Sequence, residues 1–162
     1  MKIRSVKTYL PRSAGPPQKI FLFCRIEVEY GLLGWGEAYA ILRRERGIAE
    51  FIKGLGAMLI DLHEPSPQIF RDNVTVWYDE GHLSIDLLSA ASALEVALWD
   101  IEGKRAGLPV CDLLGDVIRR SLPLSANMDP LTPENPVDLL VERCLAIRQA
   151  GCSALKFYPM EY

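Results

Sequence analysis

The stretch from Leu87 to Gly115 limits what this chain of 162 residues can become. Leu87, Leu88, Ala91, Leu94, Leu98 and Ile101 recur at steps of one, three, three, four and three, which lays them along one face of an α-helix. Ala90, Ala93 and Ala97 interleave with them, and side chains that small let a neighbouring element approach closely. Gly103 and Gly107, followed by Pro109, end the helix, because glycine takes the left-handed cap and proline cannot continue. Burying one leucine or isoleucine stabilises by roughly 1.5–3 kcal/mol, so such a face anchors a domain. Periodicity alone names no function.

The residues upstream supply what packs on that helix. Residues 1–10 read loosely as a strand, with Ile3, Val6 and Tyr9 set among basic residues. Residues 11–18, PRSAGPPQ, are dense in proline and glycine and form a loop. Residues 19–30, KIFLFCRIEVEY, give the clearest strand, with Arg25, Glu27 and Glu29 on one side and Ile26, Val28 and Tyr30 on the other. Cys24 sits among apolar neighbours there and reads as a small buried hydrophobe. Residues 31–33 turn, and residues 34–40 return as a third strand, making an antiparallel meander.

A polar connection, ILRRERG at 41–47, leads to a helix over 48–62 that presents Phe51, Ile52, Leu55, Leu59 and Leu62 on one face. Gly54 and Gly56 weaken that helix by about 1 kcal/mol each relative to alanine. Ser66 is placed as an N-cap and Pro67 at the first helical position of the next helix. Its apolar face holds Ile69, Phe70, Val74, Trp77 and Tyr78, and Gly81 ends it.

The pattern changes at Arg119-Arg120-Ser121, so the expected domains are 1–120 and 121–162. Residues 122–128 form a short strand with Ser125 and Asn127 on alternate positions, and three prolines mark a loop over 129–136. A helix over 137–150 turns Leu139, Leu140, Cys144 and Ile147 inward and is capped by Gly151. Residues 154–158 make a second strand, stopped by Pro159. Strand, helix, strand predicts two parallel strands joined by a right-handed crossover.

Composition narrows the partners. With 49% hydrophobic and 24% charged residues and a formal net charge of −3, the chain is globular and gives no reason to expect nucleic acid or an anionic membrane. No apolar run approaches the roughly 20 residues that span a bilayer, and MKIRSVKTYLPRS lacks the apolar core of a secretory signal. Four cysteines without a Cys-x-x-Cys, and two histidines, do not predict a zinc cluster; reduced thiols in a cytoplasmic protein are expected.

Ser-Ala-Leu-Glu-x-Ala-Leu-Trp-Asp-Ile-x-Gly-Lys from Ser92, followed by Gly-x-Pro-Val-x-x-Leu-Leu-Gly from Gly107, resembles the enolase superfamily, in its mandelate racemase/muconate lactonizing enzyme group. Gly34-Trp35-Gly36-Glu37-Ala38 is similar to the same family's motif at the end of the third strand of its cap. The resemblance implies an α+β capping domain, a three-stranded antiparallel meander followed by helices, and then the start of a (β/α) barrel truncated after its second strand. A complete barrel takes about 250 residues.

In (β/α) barrels active-site groups collect at the carboxyl ends of the strands, where the resemblance puts Lys156. The family often carries Lys-x-Lys there, one lysine binding the substrate carboxylate and the other abstracting the proton beside it. Here Lys156 matches the first, and Tyr158 stands in place of the second. A tyrosine with an ordinary pKa near ~10 is a poor base at neutral pH, though it can donate a hydrogen bond. Lys-Phe-x-Pro is more similar to the acid-sugar dehydratase branch, where a histidine on a later strand can take the proton.

The loops at 11–18 and 41–47 fall where the family's cap covers the barrel mouth, so Arg43, Arg44 and Arg46 become candidate substrate-binding residues, with an ordinary solvated loop as the competing reading. Glu37 and Asp100 read as framework hydrogen-bonding groups. The implied chemistry is removal of a proton next to a carboxylate, with Mg²⁺ stabilising the ene-diolate. The family's metal ligands lie on the third to fifth barrel strands. Asp129 and Glu161 match no such position, so no metal ligand is named and no bound metal is expected in this span.

The resulting expectation is the N-terminal part of an Mg²⁺-dependent acid-sugar dehydratase or racemase-like enzyme, acting on a small carboxylate, forming a homo-oligomer and inactive as this span alone. The alternative is a non-catalytic module that binds a protein partner through its exposed β-α-β edge.

Overall fold

The computed structural model describes residues 1–15, 18–40, 42–77, 84–128 and 136–157. The fold divides into two compact units, Met1–Asp116 and Val117–Tyr162. The first unit holds strands β1 (Ile3–Tyr9), β2 (Leu22–Val28) and β3 (Leu33–Ala38) and helices α1 (Glu45–Ile60), α2 (Pro67–Trp77), α3 (Ile85–Ala106) and α4 (Val110–Leu113).

The strands form an antiparallel meander in the order β1-β2-β3. Cys24 stands opposite Thr8 on one side and Gly36 on the other, and Ile26 stands between Val6 and Gly34. Alternation therefore sends Leu22, Cys24, Ile26 and Val28 into the core. On the other face Tyr9 and Trp35 meet with ring centroids 5.3 Å apart, and the Arg25 guanidinium lies about 6 Å from both. The β1–β2 hairpin runs further than expected. Arg12 and Ile20 form a bridge, Ser13 N–H donates to Lys19 O at 2.8 Å, and Phe21 N–H donates to Pro11 O at 3.0 Å. Tyr30, read as the end of β2, instead sits in a 3₁₀ turn over Glu29–Gly31 at φ 68°.

Helix α3 crosses the inner face of this sheet. Ser84 caps it, its hydroxyl accepting from Leu87 N–H at 3.2 Å, and Gly107 at φ 66° closes it with Leu108 N–H bonded to Gly103 O. Leu87, Ala91, Leu94, Leu98 and Ile101 are buried, as are Ala90, Ala93 and Ala97 beside them. Leu88 does not belong to that face. It is 47% exposed, because one residue beyond Leu87 is a rotation of about 100°. The small residues meet small residues: a side chain at Gly36 would overlap the Ala93 carbonyl, and one at Gly34 the Ala97 carbonyl.

Helix α1 starts at Glu45, three residues before the expected start, and buries Ile48, Ala49, Ile52, Leu55 and Leu59. Phe51, expected inside, is 37% exposed. Gly56 is where α1 crosses β1, since a Cβ there would lie 2.9 Å from the Val6 side chain, whereas Gly54 faces open space. Ser66 Oγ accepts from Ile69 N–H at 3.2 Å, and Pro67 opens α2. Phe70 and Val74 are buried and Ile69 is exposed, while Tyr78 and Gly81 lie outside the described residues. An Arg71–Glu95 ion pair ties α2 to α3.

The second unit holds β4 (Ser125–Asn127), α5 (Val137–Gln149) and β5 (Ala154–Lys156). Its strands are parallel, with Ser125, Ala126 and Asn127 opposite Ala154, Leu155 and Lys156. Leu140 is buried and Leu139, Cys144 and Ile147 are half-buried. Both strands are shorter than the sequence pattern implies. Among the described residues no helix is long and apolar enough to cross a membrane.

Candidate functional site

Asp100 bolts α3 to β3. Its Oδ2 accepts from Trp35 N–H at 2.9 Å and from Lys104 Nζ at 2.6 Å, and Lys104 also donates to Leu33 O at 2.8 Å. Those bonds spend the Asp100 carboxylate on framework. Glu37 is different: it is exposed, and its side chain makes no hydrogen bond among the described residues.

Glu37 instead lines a cleft of about 480 Å³. One wall comes from the hairpin end, Gln18 to Phe21; the other comes from Ala38, Tyr39, Ala40, Leu42 and Glu45 around the β3–α1 connection. Lys19, Glu37, Tyr39 and Glu45 give this largely apolar cleft both charge signs and a phenol. A concavity of this size, apolar with a few polar groups at its wall, has the character of a small-molecule site.

None of Arg43, Arg44 and Arg46 is among the residues that line the cleft, and the three take different places. Arg43 is held at φ 71°, and its N–H donates to Glu45 Oε1 at 3.1 Å. Arg44 directs its Nη1 at both carboxylate oxygens of Asp86, at 3.2 and 3.3 Å. Arg46 is exposed on the first turn of α1 rather than in the connection. Sequence reasoning missed Glu45, whose signal is an acid at the opening of an apolar-periodic helix. It also missed Ser89, which donates to Tyr39 O at 2.5 Å and which periodicity among alanines does not mark.

Lys156 belongs to the second unit. It ends β5, exposed, opposite Asn127, and its carbonyl accepts from Met128 N–H at 2.8 Å. Tyr158, with Asp129 and Glu161, lies outside the described residues.

The four cysteines are unpaired. Burial pushes the Cys24 thiol up to about 12, and its Sγ donates to Ala93 O at 3.3 Å, so this group is packing and not a nucleophile.

An antiparallel three-strand sheet backed by helices α1 and α3, with two connections meeting at one cleft, is the build of an α+β capping domain. Residues 14–115 match the family model for the mandelate racemase/muconate lactonizing enzyme N-terminal domain. The chain belongs to that family, within the enolase superfamily. A D-galactonate dehydratase from Pectobacterium atrosepticum is 36% identical over 121 residues, covering 74% of this chain and 29% of that protein. The crystal structure of an enolase from the environmental genome shotgun sequencing of the Sargasso Sea superposes with a TM-score of 0.83 at 30% identity, over 99% of this chain and 44% of that one. The 3,6-anhydro-D-galactonate cycloisomerase from Zobellia galactanivorans gives 0.77 at 26% identity, over 97% of this chain and 42% of that one. The chain thus spans less than a third of the length of the curated relatives it matches.

Proposed function

We propose that this chain supplies the N-terminal part of an Mg²⁺-dependent enzyme that removes the proton next to a carboxylate, with dehydration of an acid sugar as the best-supported reaction. The observation that carries this reading is the 36% identity to a D-galactonate dehydratase. The likeness to a cycloisomerase named for another sugar acid supports it. The two units then act as a capping domain and the first strands of a barrel. A cytoplasmic location and homo-oligomeric assembly are part of the same proposal.

In such a dehydration the C–H bond beside the carboxylate breaks and its electron pair forms a carbon–carbon double bond. The abstracted proton goes to a general base, the hydroxyl on the next carbon takes up a proton and leaves as water, and the enol tautomerises to a keto acid. Lys156 is proposed to pair its ammonium group with the substrate carboxylate, and Tyr158 to donate a hydrogen bond beside it. Arg43 and Arg46 offer forked donors to hydroxyl or carboxylate groups, and Arg44 shapes the connection through Asp86. Mg²⁺, when bound to an enzyme of this class, supplies positive charge to the developing ene-diolate. Among the described residues no three His, Cys, Asp or Glu converge to hold a metal, so no step is assigned to the ion here.

The test compares the chain of 162 residues with a longer product of the same reading frame, each assayed with Mg²⁺ and a panel of sugar acids for keto-acid formation. The reading expects turnover from the longer product alone, abolished by Lys156→Ala with the circular dichroism unchanged. Turnover by the shorter chain, or full activity in the Lys156→Ala variant, would defeat it.

A further inference from the structure

Among the described residues, two polar side chains of the first unit are buried, Glu45 at 6% and Ser89 at 8% exposure. Burying a polar group is unfavourable unless a hydrogen bond compensates it. Ser89 lies on the alanine-rich face of α3, where alanine would pack as well, so its hydroxyl is there for the bond it makes. That bond goes to the carbonyl of Tyr39, just past the end of β3. Three residues earlier on the same face of α3, Asp86 receives Arg44 with both oxygens. Glu45 accepts the N–H of Arg43, whose left-handed backbone is one that a side-chain-bearing residue resists. The β3–α1 connection is therefore fastened on both flanks, by Tyr39 on one side and by Arg43 and Arg44 on the other. Tyr39, Ala40, Leu42 and Glu45 from this region line the cleft.

We propose that Ser89 and Asp86 are positioning residues, which fix the cleft wall carried by Tyr39, Ala40 and Leu42 without touching what the cleft binds. The inference rests on the function proposed above only for the identity of the ligand, and the wall itself is testable without one. Preorganising a wall in this way removes the ordering cost from the binding step.

Hydrogen exchange on the chain of 162 residues provides the test. Ser89→Ala and Asp86→Asn are expected to speed exchange of the amides flanking the connection, 39–45, by roughly 3- to 10-fold, the worth of one net hydrogen bond, while residues 94–106 of α3 keep wild-type rates. The charge-reversed pair Arg44→Glu/Asp86→Arg is expected to restore the rate at 43–45, which neither single reversal does. Unchanged exchange in both single-site variants, or an equal acceleration along all of α3, would overturn the proposal. In a longer, active product Ser89→Ala is expected to raise KM and leave kcat alone; a fall in kcat at constant KM would also overturn it. A wild-type protein without turnover defeats the functional reading instead, and the exchange result then decides this one.

Discussion

The backbone carbonyl of Ala97 occupies the space that a side chain at Gly34 would need. Ala93 stands in the same relation to Gly36, so the glycines of β3 and the alanines of α3 form one close contact between two distant motifs. The obstacle at both positions is main chain, which cannot swing aside as a side-chain tip does.

Gly36→Ala is accordingly expected to destabilise the protein by about 3 kcal/mol or more, at the upper end for overpacking, and Gly34→Ala by a similar amount. Gly54→Ala is the control: it meets nothing within 4 Å on α1 and should stabilise by about 0.5–1 kcal/mol. Urea midpoints at constant slope report all three. A neutral Gly36→Ala would refute the close contact.

Removing the Asp100 carboxylate leaves the Trp35 N–H without its partner. Asp100→Ala should destabilise by about 0.5–1.5 kcal/mol in the same urea experiment, the net worth of a hydrogen bond at an exposed site. A loss no larger than that of an exposed control such as Asp72→Ala would remove the bolt between helix and sheet.

Arg43 and Arg44 should respond in opposite ways. Arg43→Gly relieves a φ of 71° and is expected to hold or raise stability by up to about 1 kcal/mol. Arg44→Ala breaks a partly exposed ion pair with Asp86 and is expected to lower it by no more than about 1 kcal/mol. Thermal melts of both variants, read against the wild type, check the signs.

The buried Cys24 thiol gives an alkaline signature. Its folded value of about 12 lies above the ordinary 9.0, so folded and unfolded chains both keep the proton below pH 9 and stability is unaffected there. Between about 9 and 12 the unfolded thiol ionises and the folded one does not, so stability falls as pH rises. Urea midpoints from pH 8 to 11 should decline less steeply in Cys24→Ala than in the wild type. Parallel curves would contradict the assignment.

Protection from exchange should differ between the units. In the second, Met128 and Leu140 are the described hydrophobic residues that reach burial, and Leu124 stays 79% exposed. Amides of α5 are expected to exchange roughly 100-fold faster than those of α3 in a dilute monomer, because few apolar contacts close over them. Equal protection of α5 and α3 would contradict this expectation.

What the sequence made legible was whatever depends on a local rule. Alternation in β2, the 3.6-residue stripe of α3, the Ser66-Pro67 start and the Gly107 stop each reflect nearest neighbours along the chain. The errors fall where a third element intervenes. Phe51 is as apolar as its buried neighbours on α1, and only what packs against that helix leaves it 37% exposed. Gly56 reads as a helix weakness until Val6 appears above it. The cleft was half legible: the two connections stand out by composition, but Glu45 and Ser89 act through bonds to backbone atoms that no spacing announces.

The Gly34–Ala97 contact also fixes an order of events during synthesis. The sheet is finished at Ala38, yet the surface that covers its apolar face ends only at Ala106. A ribosome adding roughly 5–20 residues per second needs several seconds to supply those intervening residues. Through that interval Leu22, Cys24 and Ile26 lack the helix that seals them, and the nascent hairpins expose a sticky face to the cell. The window for misassociation is thus set by the distance between two motifs along the messenger, and a slow codon run between them would lengthen it.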